Sequence, residues 1–179
     1  LLSQLTKKTV IYNFRQNDLK NGGQGAPLTP IFHQTIKSRL EDNWWPVLFL
    51  NIGGISNVTS TSKHQTILKN NNSDSSYNVF AGDIAPGNCL IDEWIRKNSK
   101  YKYDKDGLIA KSGKINELIL NQTLDNFSIE NYKSSLPPSL DIKDFDISFV
   151  RGLSLEDGAA TLTHLTARLI GEGLVQFIS

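Results

Sequence analysis

Two adjacent glycines interrupt a long strand-forming run, Val47-Leu48-Phe49-Leu50-Asn51-Ile52-Gly53-Gly54-Ile55-Ser56-Asn57-Val58-Thr59, and this break constrains the chain more than any other feature. The stretch from Pro46 to Ile52 is nearly continuous in apolar residues and has strand length, as expected of a strand covered on both faces. Ile55 to Ser62 alternates and is rich in β-branched residues and serine. Glycines between two such runs predict a hairpin. Tyr77 to Ala81 predicts a third strand, closed by Gly82-Asp83 and then by Pro86-Gly87-Asn88.

Around this sheet the periodicity shifts to that of helices. Ile31, Phe32, Ile36 and Leu40 predict an amphipathic helix over 30–41. Leu90, Ile91, Trp94 and Ile95 form a second apolar stripe, ending near Asn98. Lys114 to Asn126 predicts another helix, with Ile115, Leu118, Ile119 and Leu124 on one side. The clearest helix follows Ser154, which stands three residues before Asp157 in a capping-box arrangement; Ala159, Leu162, Leu165, Leu169, Leu174 and Phe177 line its face. Thr9 to Phe14 reads as a short strand, residues 69–76 as a mobile loop tip, and Asp141 to Val150 as either helix or strand. Strands first and helices after make an α/β or α+β layer, an arrangement that suits a ribonuclease-H-like domain.

Composition narrows the function classes. Nineteen basic and eighteen acidic residues leave a formal charge of +1, so no strong field favours nucleic acid or an anionic membrane. A single cysteine, Cys89, excludes an internal disulfide framework and points to a reducing compartment. No run approaches the roughly 20 apolar residues that span a bilayer. Methionine is absent even at position 1, and Leu169 to Ser179 ends as though inside a helix; the expectation is an internal fragment.

Chemistry concentrates in two turns. Gly53 and Gly54, between Asn51 and Asn57, either form a hairpin turn that needs positive φ or let backbone N–H groups approach an anion, with Asn57 adding a side-chain donor. In Gly82-Asp83-Ile84-Ala85-Pro86-Gly87-Asn88 a carboxylate precedes a helix start, where the helix dipole and exposed N–H groups favour its ionised form; it is either a proton acceptor or a helix cap. Asp18 precedes the glycine-rich turn Gly22-Gly23-Gln24-Gly25-Ala26-Pro27. His33, His64 and His164 share no metal-ligand spacing and read as surface or satisfied core residues, and Cys89 as a small packed side chain.

These turns lie within longer strings. FRQNDLKNGGQGAPLTPIFH at 14–33, NIGGISNVT at 51–59, GDIAPGNCLIDEWI at 82–95, YDKDGLIAKSGKIN at 103–116 and LSLEDGAATLTHLTA at 153–167 occur in an order that resembles the anhydro-N-acetylmuramic acid kinases over nearly the whole chain. The resemblance implies the ribonuclease-H-like fold of the actin, sugar-kinase and heat-shock ATPases, incomplete here: 1–46 would end the first lobe and carry the glycine-rich inter-lobe segment, and 47–179 would be a truncated second lobe. It implies a cytoplasmic kinase of cell-wall recycling that opens a 1,6-anhydro ring with water and phosphorylates O6, using ATP and Mg²⁺, with an amino sugar as the other small-molecule partner and room for a homodimer of the full-length protein. The family's D-x-G-P-G-N motif matches Asp83 to Asn88, making Asp83 the implied general base and Asn88 a substrate contact. Its N-I-G-G loop matches Asn51, Ile52, Gly53 and Gly54, implied to contact nucleotide phosphates together with Asn57. Its F-R-x-x-D segment places Arg15 and Asp18 near the sugar. The chain departs from the pattern at Ala85, where relatives carry glycine, at Asn13, where aspartate is frequent, and near Pro138, where relatives carry lysine and arginine. The family's S-G-T-S-x-D-G phosphate loop and its C-terminal adenosine segment lie outside the sequence. Two other readings stay open: a non-catalytic actin-like nucleotide-binding protein, and a kinase of the same superfamily for another sugar.

Overall fold

A computed structural model describes the chain except for Gln24, Pro27 and residues 41–46, 63–77, 128–139 and 176–179. The expected loop tip at 69–76, the paired prolines, His64 and Phe177 lie outside the described residues. The elements are α1 (Leu2–Thr6), α2 (Phe14–Lys20), α3 (Pro30–Lys37), β1 (Val47–Ile52), β2 (Ile55–Ser62), β3 (Asn78–Pro86), α4 (Cys89–Asn98), α5 (Leu108–Ser112), α6 (Glu117–Asn126) and α7 (Leu155–Val175), with 3₁₀ turns at Lys105–Gly107, Ile142–Asp144 and Ser148–Val150. The result is a mixed α/β arrangement around a three-stranded antiparallel sheet of order β1-β2-β3.

The hairpin forms as expected, with Ile52 opposite Ser56 and Val47 opposite Thr61. Among the described residues β1 is not covered on both faces, however: it stands at the edge of the sheet, and Leu50 and Ile52 are 38% and 49% exposed. β3 runs five residues past its expected end, so Gly82 and Asp83 lie within the strand, and Asp83 is three residues short of its last residue. Extended pairing with β2 carries it there, because each further residue gains ladder hydrogen bonds. The pairing shifts once. Ser56 opposes Ala85 and Asn57 opposes Asp83, which leaves Ile84 as the extra residue of a bulge.

One apolar core joins the sheet end to the helices. Leu90, Trp94 and Ile95 of α4, Leu120 of α6, Leu162, Leu165 and Leu169 of α7, and Phe145, Ile147 and Val150 between them form a single cluster. The indole Nε1 of Trp94 donates to the Leu155 carbonyl (2.9 Å), and a Cβ on Gly158 would stand 2.3 Å from the same ring, so α7 meets α4 where it has no side chain. Ser154 accepts from the Asp157 N–H (3.1 Å), which is half of the expected capping box. The Asp157 carboxylate turns outward to accept from the Lys114 N–H (2.7 Å).

Three expectations give way. Thr9 to Phe14 forms no strand: residues 7–13 are irregular and exposed, and α2 begins at Phe14. α3 stops at Lys37, and its stripe is turned outward, with Ile31 77% exposed; the side that packs is that of His33, whose ring stacks on Phe49 (centroids 4.5 Å) and whose Nδ1 lies 2.9 Å from Thr59 Oγ1. In α6, Leu120 and Thr123 are buried while Leu118 is exposed, because the packing against α7 selects a face rotated from the expected one. Asp141 to Val150 resolves into two 3₁₀ turns.

Candidate functional site

The two glycine-containing turns are one structure. The Gly87 and Cys89 N–H groups donate to the Gly54 carbonyl (2.9 and 3.2 Å), and the Asn88 N–H donates to the Gly53 carbonyl (2.7 Å), so the hairpin turn is stitched to the start of α4. A Cβ on Gly87 would lie 2.1 Å from the Gly53 carbonyl oxygen, so this contact requires glycine there. Gly53 and Gly54 lie outside the positive-φ region, contrary to the expectation for a hairpin turn, and a Cβ at Gly54 would meet no atom closer than the end of Ile142 at 3.4 Å. Their glycine identity is not demanded by turn geometry.

Register then builds a row across the sheet. Asn51 opposes Asn57, and Asn57 opposes Asp83, so the three polar side chains share one face of the sheet beside the junction. The next row on that face is Phe49 and Thr59, the two residues that His33 covers. Asn51 is exposed, and Asn57 and Asp83 are half-buried. The bulge at Ile84 lets that residue pack against Gly173 of α7 while Ala85 enters the core, 3% exposed.

Asp83 differs electrostatically from what its motif suggests. The N–H groups of Gly87, Asn88 and Cys89 are taken by the hairpin carbonyls, and Asp83 Oδ2 instead accepts from the Leu140 N–H (2.9 Å). Burial pushes its carboxyl above the usual carboxylate range, against the opposing pull of the Leu140 bond. The expected helix-dipole stabilisation of the ionised form is therefore overridden. Nor is Asp83 a cap: the N-cap of α4 is Asn88, whose side chain makes no capping bond.

Arg15 and Asp18 lie on α2 and organise the glycine-rich turn. Asp18 Oδ2 accepts from the Gly25 N–H (2.6 Å), and a Cβ on Gly23 would collide with that carboxylate. The Arg15 Nε stands close to Gly25, which takes φ of 72°. The structure thus brings Asn51, Gly53, Gly54, Asn57, Asp83 and Asn88 to one junction and engages Arg15 and Asp18 at another turn.

Two participants escaped the motif reading. The Leu140 backbone that holds Asp83 carries no side-chain signal, and Thr166 Oγ1, which donates to the Gly87 carbonyl (3.4 Å), is one threonine among several on α7. Cys89 is buried in the core, and burial pushes its thiol up, consistent with a packed, unreactive side chain. Among the described residues, no three His, Cys, Asp or Glu side chains gather to hold a metal ion. No helix among them is long and apolar enough to cross a membrane.

Comparison with known proteins agrees over the whole length. The family model for anhydro-N-acetylmuramic acid kinase matches residues 1–178. A Pelagibacter ubique protein of that name is 48% identical over all of the chain and 44% of its own length. Namesakes from Zymomonas mobilis and Gluconobacter oxydans are 37% and 36% identical, over 98% and 95% of the chain and 44% of each relative. The chain spans less than half the length of these relatives.

Proposed function

The chain belongs to the anhydro-N-acetylmuramic acid kinase family, and from that membership we propose that it supplies part of an ATP-dependent kinase that opens the 1,6-anhydro ring of anhydro-N-acetylmuramic acid and phosphorylates O6. In this reading the fold is the incomplete actin and sugar-kinase ATPase fold, with 1–46 ending one lobe and 47–179 forming most of the next. The protein works in the cytoplasm.

The observation that carries the mechanism is a single half-buried carboxylate, Asp83, in register with Asn57 and beside the Gly53–Gly54 turn. Asp83 takes a proton from water as the water oxygen bonds to the anomeric carbon. The bond from that carbon to O6 breaks, and O6 attacks the γ-phosphorus as ADP leaves. Its proton affinity, raised by burial, makes Asp83 a better proton acceptor than an ordinary carboxylate. Asn51, Gly53, Gly54 and Asn57 present backbone and amide groups on the phosphate side, where charge develops. Mg²⁺, which binds chiefly through water and substrate phosphates, would accompany ATP, and no step here is routed through it. Arg15 and Asp18 position the sugar, and Asn88 contacts it.

Replacing Asp83 by Asn tests the reading. In the full-length protein, with saturating sugar and ATP, turnover should fall by about 10²-fold or more while both substrates still bind. Unchanged turnover would remove Asp83 from the chemistry. The binding-only alternative rests on Ala85 and on the missing lysine and arginine near Pro138; the Ala85 methyl packs in the core, which weakens the first of these grounds.

A further inference from the structure

α3 docks on β2 and β3 through a side chain that apolar packing alone would not select. Its residues Ile31 and Phe32 are 77% and 63% exposed, and the half-buried His33 meets the sheet instead. Two contacts hold the ring. It stacks on Phe49 with the planes 6° apart, and its Nδ1 lies 2.9 Å from Thr59 Oγ1. The stack fixes the plane of the imidazole, and the hydrogen bond fixes its rotation within that plane. Whichever tautomer the ring takes, the threonine hydroxyl supplies the complementary donor or acceptor. An apolar side chain would bury similar area without setting an angle, because hydrophobic contact is non-directional.

Both sides of this contact lead to residues of the site. On the sheet, Phe49 and Thr59 stand two positions from Asn51 and Asn57, about 7 Å away on the same face, and Asn57 opposes Asp83. Thr59 is 2% exposed, so its hydroxyl is a fixed anchor. On the helix side, α3 opens at Pro30, five residues after Gly25, whose N–H is held by the Asp18 carboxylate (2.6 Å) beside Arg15. α3 therefore lies in the chain between the glycine-rich turn and the sheet, and the angle at which it docks bears on how the two stand to each other.

We propose that His33 is a positioning residue: by orienting α3 through Thr59 and Phe49, it sets where the Arg15–Asp18 turn stands relative to the Asp83 carboxylate. The proposal rests on the kinase reading and gives a role to a residue that reading leaves aside. Thr59→Val and His33→Phe, made in the full-length protein, each remove the hydrogen bond, the first keeping side-chain shape and the second keeping a stacking ring. In each, kcat/KM for the anhydro sugar should fall about tenfold or more, since misplacement by about an ångström can cost about 10²-fold. KM for ATP should stay at the parent value. The double variant should be no worse than the worse single one, because all three lack the same bond. His33→Asn, whose amide can take the place of Nδ1, should keep more of the sugar kcat/KM than His33→Phe. If His33→Phe does not fold, Thr59→Val against His33→Asn carries the comparison. A lowered melting temperature with unchanged sugar kinetics makes the contact purely structural and overturns the proposal. Equal losses toward sugar and ATP, or losses that add in the double variant, overturn it as well, and all three outcomes leave the kinase reading standing. A parent protein that phosphorylates no anhydro sugar counts against the kinase reading and takes the positioning role with it.

Discussion

Asp83 shows how much a residue's surroundings change what its motif suggests. A carboxyl whose folded proton affinity lies above its unfolded value is favoured by folding in its acid form. That contribution is present below the unfolded pKa, with an ordinary value of 3.8, and is lost as pH rises through the raised folded value. At neutral pH the ionised group therefore weakens the fold. Asp83→Asn, which can still accept from Leu140, should leave the protein at least as stable as the parent at pH 7, with the difference vanishing in acid; melts across pH check this. Activity of the full-length protein should move the opposite way, rising with pH along a limb displaced above the ordinary carboxylate value, and the variant should lack that limb. A parent limb at the ordinary position would show that burial does not control this group.

At the scale of elements, glycines separate packing from ligand approach. Gly87→Ala places a methyl 2.1 Å from the Gly53 carbonyl and should destabilise by about 1–3 kcal/mol, because backbone must move. Gly54→Ala meets only the end of Ile142 at 3.4 Å, so its unfolding midpoint should stay within about 0.5 kcal/mol of the parent. Weakened nucleotide binding in that well-folded variant would come from blocked backbone approach; unchanged binding would make the turn purely structural. The same contrast operates on α7. Gly158→Ala drives a Cβ into the Trp94 ring and should destabilise by about 1–3 kcal/mol, despite alanine's better helix propensity. Gly171→Ala, with no atom within 4 Å, should stabilise by about 0.5–1 kcal/mol; urea unfolding distinguishes the pair.

For the molecule as a whole, apolar side chains on α1 to α3 face outward: Leu5, Phe14 and Phe32 are 73%, 65% and 63% exposed. Exposed apolar surface of this kind binds hydrophobic dyes and favours association. The 179-residue chain should enhance the fluorescence of such a dye, and Leu5→Gln with Phe32→Gln should lower it without changing the melt of the α4–α7 core. By itself the chain should release no sugar 6-phosphate from ATP and the anhydro sugar, since it spans less than half of its relatives' length.

The sequence by itself determined the β1–β2 hairpin, α4, the Ser154 cap of α7 and the family, because glycine punctuation, apolar period and capping act between near neighbours in the chain. It also marked Asp83 and Gly53–Gly54 as the residues to watch. Only the tertiary structure decided that β3 continues through Asp83, that a bulge sends Ile84 to α7, and that α3 packs by His33 rather than by its apolar stripe. The proton affinity of Asp83 belongs to this second group. It depends on burial and on a backbone N–H 57 residues away, and the junction it borders is tied to a threonine 79 residues from Gly87. Periodicity carries no record of such partners, since desolvation and long-range hydrogen bonds exist only once the elements have packed.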